Sequence, residues 1–176
     1  MATAYVYAPK TGTNMGQVCY CNNPNCVCPG CVHTVVRQNE GWVSPLDISS
    51  NSGLDIYLYA AGTYVKSVRT ERVGWICGNT TLTPWTNGVL THLYKDTAGT
   101  NYIGGVMYGH LENRIANGLY TSHWGIRVGT TPQNDCDCGC YDGHHIHIQR
   151  KNGSSNTFNC GNTLYAGTTW IFKWTV

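Results

Sequence analysis

Nowhere in this chain does an apolar pattern with the 3.6-residue helical period run longer than two turns. Short stretches of alternating or β-branched character recur instead, separated by Gly and Asn at turn-like intervals. They run from Ala4 to Ala8, Leu54 to Tyr59, Thr63 to Val68, Val73 to Cys77, Val89 to Tyr94, Ile103 to Leu111, Gly125 to Val128 and His145 to Gln149. The closing run, Thr169 to Val176, alternates so that Trp170, Phe172, Trp174 and Val176 are expected on one face. The expectation is an all-β fold, mainly antiparallel, whose long loops form a groove. At 176 residues the chain has the size of one domain and can bury a real core. It reads as a Cys-rich N-terminal segment (1–40), a Gly-punctuated β-rich core (41–150) and a C-terminal strand or tail packed on that core (151–176).

Charged residues make up 11% of the chain, well under the roughly 25% usual in soluble domains. The net charge is +2 with no basic block, which excludes an electrostatic nucleic-acid binder. No apolar run is long enough to span a membrane. The opening Met1-Ala2-Thr3-Ala4-Tyr5 has neither the basic nor the apolar region of a secretory signal. A polar, weakly charged surface rich in Tyr, Asn and Thr points to an extracellular, cell-wall or virion-associated setting.

Ten cysteines strengthen that expectation. Five lie in the first segment (Cys19, Cys21, Cys26, Cys28 and Cys31) and five follow (Cys77, Cys136, Cys138, Cys140 and Cys160). A dense, even count favours disulfides in an oxidising compartment. With five on each side, full oxidation requires at least one bridge from the first cluster to the rest. The competing reading is a structural zinc, which the Cys-x-Cys and Cys-x-x-Cys spacings permit.

The chemistry concentrates at Gly143-His144-His145-Ile146-His147-Ile148. On a strand His145 and His147 point the same way, and two imidazoles side by side can serve one ion or one proton. Further donors stand upstream at Asn51-Ser52-Gly53-Leu54-Asp55-Ile56 and at Tyr108-Gly109-His110-Leu111. Between them lies Ala60-Ala61-Gly62-Thr63-Tyr64-Val65-Lys66-Ser67-Val68, a Gly turn leading into a strand.

In this order the pieces resemble the lysostaphin-type zinc metallopeptidases, which cut peptide bonds of bacterial peptidoglycan. Residues 51–56 resemble that family's H-x-G-x-D-[IF], residues 60–68 its A-x-G-T-P-V-x-A-V, residues 108–111 its Y-x-H-L and residues 143–148 its G-P-H-L-H-F. Trp124 to Gly129 sits where the family has a Gly-rich turn. The resemblance spans roughly residues 47–150 and implies a hydrolase of cell-wall degradation, a zinc-dependent endopeptidase. It implies zinc held by Asp55 and His147, with Asn51 at the position of the first ligand. His145 would be the general base on a metal-bound water, and His110 would bond the developing oxyanion. The expected partner is a peptidoglycan peptide or another extracellular peptide.

Asn51 departs from the family, which has histidine there. An amide oxygen is a neutral and weaker zinc donor. Three readings stay open: a weaker working site, a degenerate domain that binds wall peptide or protein partners or builds a larger assembly, and an engineered change. A disulfide-rich secreted binding module with incidental histidines is a further reading. His144 takes the family's Pro position as a bystander, and His33, His92 and His123 match no motif. Asp47, in Pro45-Leu46-Asp47-Ile48, looks like the ligand segment but lacks its Gly and the following Ala-Gly-Thr. By position alone, Tyr120, Trp124 and Tyr141 are expected to line the groove.

Overall fold

A computed structural model of the chain describes residues 2–9, 14–17, 37–61, 64–74, 87–121, 124–131, 145–158 and 162–176. All ten cysteines lie outside these residues, as do His33, His123, His144 and Tyr141, so the expectations placed on them lie outside as well.

The described residues form an all-β protein of two main antiparallel sheets. In chain order the strands are β1 (Thr3–Tyr7), β2 (Asn14–Gln17), β3 (Trp42–Ser49), β4 (Asp55–Ala61), β5 (Ser67–Gly74), β6 (Asn87–Tyr94) and β7 (Tyr102–Gly109). They continue with β8 (Gly118–Thr121), β9 (Gly125–Thr130), β10 (His145–Lys151), β11 (Ser154–Ser155), β12 (Thr163–Tyr165) and β13 (Trp170–Thr175). One sheet has the order β11-β13-β1-β4-β9, the second β3-β10-β7-β6-β5-β8, and β12 pairs with β2. A short 3₁₀ turn, Gln38–Glu40, precedes β3.

The two sheets pack face to face over one core. Ala4, Val6, Ile56, Leu58, Val128 and Phe172 enter it from the five-stranded sheet. Ile48, Val68, Leu93, Val106, Tyr108, Ile146 and Ile148 enter it from the six-stranded sheet. Full burial of such a side chain stabilises by about 1.5–3 kcal/mol, so the alternation in each strand fixes which face turns inward. Strand β1, from the first segment, is the middle strand of its sheet, and β13, from the tail, is its neighbour. Both ends of the chain are therefore part of the body of the fold.

Trp170 departs from the expected single face of the last strand. Tyr7 pairs with Trp170 while Val6 pairs with Phe172, so Ile171 is an extra residue and the register shifts there. The bulge lets Ile171 and Phe172 both bury and turns Trp170 outward onto Tyr5. The runs expected at Thr63–Val68 and Val73–Cys77 contribute to a single strand, β5. Strand β3 was not expected, because Pro45 interrupts the run. The fold accommodates it at a sheet edge with a second bulge. Leu46 pairs with Ile148 and Val43 with Arg150, and Ser44 takes φ +59°.

Gly104-Gly105 in β7 has a packing reason. A Cβ on Gly104 would stand well under 3.0 Å from Trp174 Nε1, and one on Gly105 would stand 2.7 Å from Trp42 Cη2. Two indoles thus press on the same strand from opposite faces.

Candidate functional site

Strand β10 lies between β3 and β7. Ile146 and Ile148 fill the core, so alternation turns His147 and Gln149 to the outer face of the six-stranded sheet. His147 is registered with Asp47 on one side and Gly109 on the other. Asp47 Oδ1 lies 3.0 Å from His147 Nδ1, and both side chains are 1% exposed. His147 Nε2 lies 2.8 Å from Gln149 Oε1. On the same face a smaller apolar cluster of Trp42, Val73, Leu90 and Met107 adjoins them.

These contacts restrict the state of the ring. Either Nδ1–H donates to Asp47 and Nε2 accepts from the Gln149 amide, or Nε2–H donates to Gln149 Oε1 and Nδ1 faces the carboxylate. A separation of 3.0 Å is that of an ordinary imidazole–carboxylate hydrogen bond, and it also lies in the range for two ligands of one metal ion. The spacing fits a metal. Zinc binds N and O at about 2.0–2.2 Å, which leaves neighbouring ligand atoms roughly 3.0–3.5 Å apart. Among the described residues no three His, Cys, Asp or Glu side chains form a complete metal-holding group.

His110 follows β7 directly. It is buried, and its ring centroid lies 6.4 Å from that of His147 at 80°. Its backbone takes φ +62°, a conformation that costs a non-Gly residue about 1–3 kcal/mol and persists only where surroundings impose it. The structure therefore brings together two of the expected site residues, His110 and His147. His145 opens β10 two residues before His147, with its backbone opposite Ser49.

The other two expected residues lie elsewhere. Asp55 opens β4, and its Oδ1 lies 2.8 Å from Arg127 Nε. It shares the outer face of the five-stranded sheet with Tyr57, the registered partner of Arg127. Asn51 is exposed in the β3–β4 turn. Its backbone carbonyl accepts from Thr131 Oγ1 at 2.6 Å, and the same hydroxyl accepts the Leu54 N–H at 2.9 Å. Asp47, set aside on sequence grounds, is the carboxylate that stands at His147. The Asp47-Ile48 pair was a signal for it, and the period-two spacing from His147 was a signal for Gln149. Trp124, expected in the groove, stands instead against Tyr7 and Tyr59.

His92 sits further along the same outer face, between Trp42 and Tyr102. Burial lowers its pKa, partly offset by Glu71 at 3.5 Å. A depressed folded-state pKa means stability that is complete above the unfolded value of about 6.5 and is lost as pH falls below it. Urea unfolding between pH 7.5 and 5 should show a declining midpoint, and His92→Gln should flatten that decline.

Among the described residues no helix is long and apolar enough to cross a membrane. Comparison with family models, curated proteins and solved structures finds no match to this chain.

Proposed function

We propose that this chain is a lysostaphin-like domain that holds zinc at Asp47 and His147 and hydrolyses peptide bonds of bacterial peptidoglycan outside the cell. The observation that carries the reading is the buried contact of Asp47 Oδ1 with His147 Nδ1, which sets an oxygen and a nitrogen donor side by side on the outer face of a sheet. Zinc, when bound, polarises a scissile carbonyl and lowers the pKa of bound water to about 7. Gln149 holds the His147 ring by its far nitrogen, as metal-bound imidazoles are commonly held. His110 is the group to hydrogen-bond a developing oxyanion. His145 is the group to accept a proton and pass it to the leaving amine. The resemblance assigns the carboxylate to Asp55, whereas proximity to His147 favours Asp47.

A second reading has its own support. The family's first histidine falls four residues before its aspartate. Counted from Asp55 that position is Asn51, and counted from Asp47 it is Val43. Neither is an imidazole. A degenerate domain that binds wall peptide or a protein partner fits this pattern.

Clearing of purified cell walls separates the two. The active reading expects clearing by the natural sequence, a loss of 100-fold or more in Asp47→Asn, and far less loss in Asp55→Asn. Clearing only by Asn51→His or Val43→His would establish the degenerate reading. No clearing by any form, with wall pelleting retained, would leave binding as the function.

A further inference from the structure

The outer face of the five-stranded sheet carries a continuous path of aromatic rings. Trp170 meets Tyr5 at 5.8 Å between centroids, Tyr5 meets Tyr7 at 6.3 Å, and Tyr7 meets Trp124 at 5.6 Å. The path continues from Trp124 to Tyr59 at 5.6 Å and from Tyr59 to Tyr57 at 5.5 Å. It crosses β13, β1, β4 and the start of β9. Five of the rings are partly exposed, and Trp124 is 50% exposed. Core demands do not explain them, because the inward positions of the same strands are filled by Ala4, Val6, Leu58 and Phe172. Tyr and Trp present apolar faces with a polar edge, and a contiguous exposed set marks a binding surface.

Charge selects the ligand. Arg127 is paired with Asp55 beside Tyr57, and Lys173 lies over the Trp170 ring at 5.0 Å. A single-stranded nucleic acid also stacks on aromatics, but it needs a cationic track for its phosphates. Among these described residues, one Lys stands beside an Arg–Asp ion pair. A second protein copy could also seat on Tyr and Trp, and sedimentation distinguishes it. A neutral polysaccharide meets each condition. Its pyranose faces present C–H groups to stack on rings, and its hydroxyls bond the tyrosine edges.

We propose that this face binds a β-linked glycan strand along the path from Trp170 to Tyr57. The proposal does not rest on the zinc reading, because it concerns the other sheet. The test titrates the full chain with two neutral probes, the β-1,4-linked hexamers of N-acetylglucosamine and of glucose, and follows tryptophan fluorescence. Saturable binding to at least one hexamer is expected. Trp124→Ala and Tyr7→Ala should each weaken it tenfold or more with unchanged circular dichroism, and Trp124→Phe should retain most of it. The proposal is overturned if neither hexamer binds or if these variants bind as well as the natural sequence. It is also overturned if the same variants instead abolish salt-sensitive binding of oligo(dT), or a concentration-dependent dimer in sedimentation.

Discussion

Asp47→Ala, unfolded by urea with a chelator present, is expected to lose about 1–3 kcal/mol of stability, the usual cost of removing one partner from a buried hydrogen-bonded pair. Asp47 and His147 are both 1% exposed, so water does not replace the lost carboxylate. His147→Leu should lose at least as much, because it takes the imidazole away from a buried carboxylate. If the two side chains depend on each other, Asp47→Ala combined with His147→Leu should cost clearly less than the sum of the single changes. Strict additivity would mean that the pair contributes nothing to the fold through their contact. Repeated with zinc in excess, the natural sequence should gain stability and the variants should not, since a ligand that binds only the folded state stabilises it by mass action.

Gly104→Val should be comparably damaging for a steric reason. A Cβ at Gly104 would stand 2.5 Å from the Lys151 carbonyl and closer still to Trp174 Nε1. The indole N–H donates to that same carbonyl at 2.9 Å, so the new group would also part this bond. Overpacking of about 1–3 kcal/mol plus a lost partly buried hydrogen bond of about 1 kcal/mol gives an expected loss of roughly 2–4 kcal/mol. Thermal unfolding with Gly74→Ala as the control checks it, because nothing lies within 4 Å of a Cβ there. Adding Trp174→Leu to Gly104→Val should recover part of the loss. Full stability in Gly104→Val alone would show that β7 does not need its glycine.

Much of the fold was legible because burial is one-sided. Ile146 and Ile148, Leu54 to Tyr59 and Val89 to Tyr94 alternate as their strands do, and that alternation reads directly from the sequence. Bulges are invisible to such reading. The extra Ile171 sends Trp170 to the opposite face, and the Ser44–Pro45 kink hides β3. The same blindness shaped the site. Motif order points to Asp55, but a strand is partnered across the sheet, and the register of β3 on β10 sets Asp47 against His147. No spacing along the chain encodes that register. The aromatic path was equally illegible, since Tyr5, Tyr7, Tyr59 and Trp124 become neighbours only once β1, β4 and β9 pair.

The most direct measurement is zinc per chain by elemental analysis after dialysis, made on the natural sequence and on Asp47→Asn, His147→Ala and Asp55→Asn. The account predicts one zinc that is lost in Asp47→Asn and His147→Ala and kept in Asp55→Asn. Zinc that persists through Asp47→Asn and His147→Ala, or that disappears only in Asp55→Asn, would contradict it.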